Sequence, residues 1–234
     1  GAVVDADAAA RRITVAGTSG ALRPGPRTLD LRMSGTTARF LLPVVALGSG
    51  RYLVDGAPSL RGRPMGPTLD ALRSLGVDVD EQGDPGHLPV TVVAPGGLAG
   101  GRVQVAGDAS SQFVSGLVLA GPLLRGGVEV AVSTALVSQP YVAMTVATMA
   151  EFGAVVDVRT GAATGAPVLR VPEGRYRAVE HRIEPDASTA SYVLAAAAIC
   201  GGRVTVPGLG SGSQQGDAGF ADLLGRMGAQ VERT

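Results

Sequence analysis

The sequence contains no lysine; all 20 of its basic residues are arginine. That excludes lysine chemistry of any kind within these residues, whether a Schiff base or the phosphate-binding lysine of a P-loop. Tryptophan is absent and aromatic residues make up only 3% of the chain, so the core has to be assembled from Val, Leu, Ala and Ile. The single cysteine, Cys200, leaves no internal disulfide to form, in keeping with a reducing compartment. It closes the Ala-rich run "VLAAAAIC", where a buried, unreactive thiol is expected. His87, in the turn sequence "GDPGHLP", and His181, ahead of an expected strand, are the only imidazoles. Both are expected at the surface, and no Cys/His cluster has zinc-ligand spacing. Neither sign of charge predominates, because 20 acidic residues balance the basic ones. Nucleic acid and anionic membrane are therefore disfavoured as partners. No apolar run reaches the roughly 18 residues that span a bilayer, and no signal-peptide pattern opens the sequence.

What the sequence does have is glycine, 35 in all, and a repeat. "SGTTARFLLPVVALGSGRYLV" begins at Ser34, "DASSQFVSGLVLAGPLLRGGVEV" at Asp108 and "DASTASYVLAAAAICGGRVTV" at Asp186. They recur roughly every 75 residues, and each reads as a small polar cap, an apolar helix, a glycine break and a Val-rich strand. In the second, Phe113, Val114, Leu117, Val118, Leu119 and Leu123 make the helix a buried one. A second helix follows each time. Leu69, Leu72 and Leu75 mark the first, Met144, Val146, Met149 and Phe152 the second. These helices end at Gly76, Gly153 and Gly228, where glycine adopts the left-handed conformation cheaply. "AVVDV" and "APVLRV" then read as two strands. The expected unit is therefore βαβαββ, and the expected class α/β (α+β in its segregated strands). Gly1 falls in phase with the three stop glycines. The chain is thus expected to start at the end of one unit and stop inside another, as a stretch of a longer protein.

The helix starts "GTT", "ASS" and "AST" raise a chemical question. Ser110, Ser111 and Gln112 open a helix destined for the core, and two readings stand side by side. Ser and Asp are ordinary caps for the free N–H groups of a first turn. The same free N–H groups and the positive end of the helix dipole also make an anion site. Pseudo-symmetric packing would bring several such starts to one side and favour negative charge there.

"SGTTARFLLP", "GRPMGPTLDALRSLG", "DASSQFVSGLVLAGPLL", "LVSQPYVAMTVATMAEFG", "EPDASTASYVLAAAAICGG" and "QQGDAGFADLLGRMGA" resemble, in this order, the 5-enolpyruvylshikimate-3-phosphate synthase family. The resemblance covers nearly the whole chain. It implies an inside-out α/β barrel lobe of pseudo-symmetric βαβαββ repeats. Residues 1–181 would be most of the shikimate-3-phosphate-binding lobe, its first repeat incomplete, and 182–234 the first repeat of a second lobe after a crossover. It implies a cytoplasmic enzyme, monomeric at full length and without cofactor or metal. That enzyme transfers the enolpyruvyl group of phosphoenolpyruvate to the 5-hydroxyl of shikimate 3-phosphate.

By motif, Ser110, Ser111, Gln112, Ser138 and Tyr141 resemble the residues that hold shikimate 3-phosphate. Gly35, Arg63 and again Gln112 resemble those that hold phosphoenolpyruvate, and Arg39 resembles a support of the Gly35 loop. Read without the resemblance, Arg63 is a solvated charge at a helix start, Gly35 a turn residue, Ser138 a cap and Tyr141 the edge of a core. Gln139 stands where the family can carry lysine, and Met33 where it often has asparagine. The family's N-terminal lysine-containing segment and the second lobe's acidic proton-transfer residue, arginines and late lysine have no counterpart here. No catalytic residue is therefore expected in this stretch, which should bind without turnover and could self-associate. The sister family that acts on UDP-N-acetylglucosamine places a reactive cysteine ahead of its "RP" motif, where "APSLRGRPMG" has none. A non-catalytic sugar-phosphate-binding module is the remaining alternative.

Overall fold

A computed structural model describes residues 2–161 and 165–234 of the chain. Its Val-rich runs become strands where a neighbouring strand satisfies their backbone groups. Strands β1 (Val3–Asp7) and β2 (Arg12–Ala16) form an isolated antiparallel hairpin, exposed along its whole length. There follow β3 (Arg27–Asp30), α1 (Gly35–Ala46), β4 (Ser49–Asp55), the single turn α2 (Pro58–Arg61), α3 (Gly66–Ser74), β5 (Asp78–Glu81) and β6 (Val90–Pro95). They make one sheet in the order β3-β4-β6-β5. β3 runs parallel to β4, with Leu29 opposite Val54, and β6 runs antiparallel to both β4 and β5.

The next unit repeats this. β7 (Arg102–Val105), α4 (Ser111–Ala120), β8 (Val128–Val132), α5 (Gln139–Glu151), β9 (Asp157–Thr160) and β10 (Pro167–Val171) follow one another. Their sheet order is β7-β8-β10-β9. The β7–β8 pair is parallel, and β10 is antiparallel to both its neighbours. In each unit α1 or α4 is the crossover that a parallel pair requires. The expected βαβαββ unit is thus present twice, and the fold is α/β.

The helix stops also stand where the sequence placed them. Gly76, Gly153 and Gly228 have φ of +85°, +81° and +104°, a region costly to any side chain. Gly1 lies outside the described residues.

One apolar cluster runs through both units, from Leu42, Leu69 and Val92 to Phe113, Val130 and Leu169. α4 sits at its centre and is buried on nearly every face, between α1, α5 and β8. The close approach of α1 depends on Gly116, because a Cβ there would lie 2.6 Å from the Arg39 carbonyl oxygen and 3.4 Å from Phe40 Cα. Helices of the two units therefore pack on each other, with the β8 sheet against α4. Leu123, expected in the core, is instead 39% exposed. It falls in a 3-10 turn, Gly121–Leu123, beyond the end of α4.

After β10 the pattern changes. Residues 172–186 run without regular structure along the second unit. The Tyr176 hydroxyl donates to the Leu119 carbonyl at 2.8 Å, and Arg177 N to the Phe152 carbonyl at 2.8 Å. His181 Nδ1 lies 2.6 Å from Glu151 Oε2, with its ring tilted against Phe152. His181 is exposed as expected, but no strand follows it. α6 (Ala187–Cys200) and α7 (Phe220–Arg226) then pack on one another.

The third Val-rich run, "GRVTV", is not a strand. It has no partner among the described residues, and a lone strand leaves its backbone donors and acceptors unpaired. For a related reason Cys200 is exposed rather than buried. Among the described residues nothing covers the apolar side of α6, which leaves Tyr192 and Ile199 77% and 83% exposed.

Candidate functional site: a donor-rich junction of two helix starts

α1 and α4 begin beside each other, and the polar residues at their starts form one network. Ser34 caps α1, its Oγ accepting from Thr37 N at 3.2 Å. Ser110 caps α4 in the same way, accepting from Gln112 N at 3.3 Å. Arg39, one turn into α1, reaches across to α4. Its Nη1 donates to Gln112 Oε1 at 2.9 Å and to Ser110 Oγ at 3.3 Å. Its Nη2 donates to the Pro64 carbonyl at 3.3 Å, and its Cζ stands 4.6 Å from the centroid of the Phe113 ring. Gln112 Nε2 in turn donates to Thr36 Oγ1 at 2.9 Å.

These contacts settle what each group has left to offer. A hydroxyl has two lone pairs and one proton. Both lone pairs of Ser110 are taken, by Gln112 N and Arg39, which leaves its proton. Ser111 is 4% exposed, and its hydroxyl has no partner among the described residues. Gln112 keeps the second proton of Nε2. Capping and anion binding are therefore compatible uses of the same serine.

Arg63 joins this junction from the loop before α3. Its guanidinium packs where a side chain on residue 35 would stand, since a Cβ on Gly35 would lie 2.7 Å from Arg63 Nη1 and 3.2 Å from its Cδ. Gly35 is buried and is the first residue of α1 rather than a simple turn residue. Arg39 and Arg63 are close enough that burial, and then the Arg63 charge, lower the affinity of Arg39 for its proton. Neither arginine has a salt-bridge partner among the described residues. Arg61, two positions before Arg63, is different: it is held by Asp55, at 2.9 Å and 2.7 Å from the two carboxylate oxygens. That hydrogen bond holds the Asp55 carboxyl below its ordinary range. The site thus has two uncompensated cations and two helix N-termini, an arrangement that favours an anion.

Ser138 and Tyr141 lie on the adjoining edge. The loop after β8 is tied to the loop before α4, because Thr134 Oγ1 accepts from Gly107 N at 2.8 Å and from Asp108 N at 3.1 Å. Val137 N donates to the Gly107 carbonyl at 3.0 Å. Ser138 precedes α5 but makes no capping bond through its side chain; it has φ 54° and ψ 43°, a strained conformation for a serine. Tyr141 is 43% exposed and so is not part of the core. The Thr145 hydroxyl, 2.8 Å from both the Tyr141 carbonyl and Ser115 Oγ, fastens the start of α5 to α4. Thr134 and Thr145 are not marked by the sequence, and Thr36 is marked only as part of the helix start "GTT". Isolated threonines carry no motif, and only their partners across the fold give them a place here.

Two concavities, of about 390 and 440 Å³, lie elsewhere, one along Arg102, Glu129 and Arg170 and the other among residues 205–213. None of the expected site residues lines either. Among the described residues no cluster of His, Cys, Asp and Glu could hold a metal ion, and no helix is long and apolar enough to cross a membrane.

The fold and the junction together define an α/β protein of βαβαββ units with a donor-rich, cationic surface where the first helices of neighbouring units meet. The same architecture is found in the EPSP synthase of Acinetobacter baumannii, with a TM-score of 0.73 and 24% identity over 98% of this chain and 50% of that one. The family model described as EPSP synthase (3-phosphoshikimate 1-carboxyvinyltransferase) matches residues 1–234, and the chain belongs to that family. The 3-phosphoshikimate 1-carboxyvinyltransferase of Shewanella halifaxensis is 42% identical over 217 residues, 92% of this chain and 50% of that protein. The chloroplastic protein of the same name from Solanum lycopersicum is 39% identical over 242 residues, 99% of this chain and 45% of that protein. The chain spans about half the length of the curated relatives it matches.

Proposed function

We propose that this chain contributes the acceptor-binding half of a 3-phosphoshikimate 1-carboxyvinyltransferase, and part of its donor site. Ser110 and Ser111 bind the 3-phosphate of shikimate 3-phosphate, Gln112 lies along its ring, and Ser138 and Tyr141 bound the same substrate. Arg63 binds the phosphate of phosphoenolpyruvate, and Gly35 leaves it the room to do so. The observation that carries this reading is the polarity of the junction. Two cations lack counter-charges, and the Ser110 and Ser111 hydroxyls and Gln112 Nε2 still have protons to donate. Such a surface is complementary to acceptor-only oxyanions.

The reaction joins the 5-hydroxyl oxygen to C2 of phosphoenolpyruvate, breaks the bond from C2 to the phosphate oxygen and releases phosphate. A proton is added to the methylene and later lost, and the 5-hydroxyl gives up its own proton. These transfers need placed acids and bases, and the groups described at the junction are hydrogen-bond donors and cations. We therefore assign to the chain binding and orientation, with turnover requiring further segments. Residues 1–181 then belong to the acceptor lobe and 182–234 to the start of the other, in a cytoplasmic enzyme.

Differential scanning fluorimetry tests the reading. A ligand that binds only the native state raises the midpoint. Shikimate 3-phosphate should do so at millimolar concentration, and shikimate, which lacks the phosphate, should not. Absence of a shift with the phosphorylated compound would sink the assignment.

A further inference from the structure

Arg39 is a half-buried guanidinium without a carboxylate partner. It is held only by neutral acceptors on two separate segments, Ser110 Oγ and Gln112 Oε1 at the start of α4 and the Pro64 carbonyl before α3, and by the face of Phe113. Such a charge is costly to bury, and none of these contacts is needed to cap α1 or α4. What they do accomplish follows from donor and acceptor rules. A guanidinium only donates, so the Gln112 atom that faces it has to be the carbonyl oxygen. The amide nitrogen is thereby turned to Thr36 Oγ1, with its remaining proton uncommitted. The same guanidinium takes the second lone pair of Ser110 and leaves that hydroxyl only its proton.

We propose that Arg39 is a positioning residue that sets the hydrogen-bonding polarity of the junction, holding Gln112 and Ser110 as donors toward the ligand. This rests on the reading of the junction as an oxyanion site and adds its specificity. The lock favours groups that only accept, such as phosphate and carboxylate oxygens. It discriminates against isosteric groups that must donate, which would meet protons on both residues. Without Arg39 the Gln112 amide is free to turn over and present its oxygen.

The orientation can be read directly from the Gln112 side-chain NH2 pair in 15N spectra of the full chain, assigned by its disappearance in Gln112→Glu. In the unmodified chain the two protons should be widely separated in shift, and the one bonded to Thr36 protected from exchange with water. Arg39→Met should collapse the separation and abolish the protection, and Arg39→Lys, which keeps a cationic donor, should restore part of both. Thr36→Val, at an exposed position where folding is not at risk, should likewise abolish the protection. An NH2 pair unchanged in folded Arg39→Met, or unprotected in the unmodified chain, overturns the lock, and so does protection that survives Thr36→Val. Titration with shikimate 3-phosphate separates the two readings. If the lock is present but the free Gln112 proton does not move, the oxyanion site fails and the lock stands.

Discussion

Gly35 is the residue at which the smallest change should have the most specific effect. Its missing side chain is the space in which the Arg63 guanidinium rests, 2.7 Å from where a Cβ would be. Arg63 is exposed and flexible, so in Gly35→Ala the arginine moves and the backbone does not. The unfolding free energy of Gly35→Ala should stay within about 0.5 kcal/mol of the parent. Phosphoenolpyruvate binding in the presence of shikimate 3-phosphate should weaken about tenfold, the worth of one charge-assisted hydrogen bond. Calorimetric titration of the two proteins measures this, and equal affinities would remove Arg63 from the donor site. At this scale the sequence was informative about residue types and poor about partners. The serine at 110 could be read as cap or ligand because both uses draw on the same hydroxyl, and only the contact with Arg39 shows how its lone pairs and proton are divided. Arg39 itself reads as a local support, since nothing in its spacing points to partners 71 and 73 residues away.

The junction exists because α1 and α4 come together, and their contact hinges on Gly116. A methyl there meets the Arg39 carbonyl at 2.6 Å, a backbone atom that cannot swing aside. Gly116→Ala should therefore push the helices apart and destabilise the fold by about 1–3 kcal/mol. Shikimate 3-phosphate should bind it more weakly even below its melting transition. Gly174→Ala, where nothing lies within 4 Å of the added carbon, is the control and should leave both unchanged. Urea unfolding with and without ligand checks the pair. If Gly116→Ala melts and binds like the parent, the helix contact does not hold the site together. Elements were the most legible scale, because a period of apolar residues and a stop glycine depend on local chemistry. The exception is informative. The run "GRVTV" has the composition of β4 or β8 yet forms no strand, since a strand is completed by its neighbour and this one has none among the described residues. α6, by contrast, forms, because a helix satisfies its own backbone. Its start is secured by Asp186, whose carboxylate accepts from Ser188 N and Thr189 N and is held below the ordinary range chiefly by the Thr189 hydroxyl.

For the whole molecule, the repeat was legible from its spacing, but the way residues 172–234 attach to the two complete units was not, because the segment 172–186 has no periodic pattern. The structure ties it down at few points, and the Tyr176 hydroxyl is the one with a distinctive titration. Burial raises its pKa from 10.0 to about 12 while it donates to the Leu119 carbonyl on α4. A phenol that is harder to ionise in the folded chain than in the unfolded one stabilises folding fully below about 10. That contribution is lost as the pH rises through about 12, where a phenolate would face a carbonyl oxygen across a bond that has lost its proton. Tyr176→Phe should therefore cost about 1 kcal/mol at neutral pH and remove a phenolate step near 12 from the alkaline absorbance titration. Amide exchange around Arg177, whose N–H is bonded to Phe152 only one residue further on, should quicken in the same variant, while exchange in α4 and β8 should not. A step lost near 10.0 instead would mean that the hydroxyl is in water, and that residues 172–186 are held by their backbone bonds and the His181–Glu151 pair.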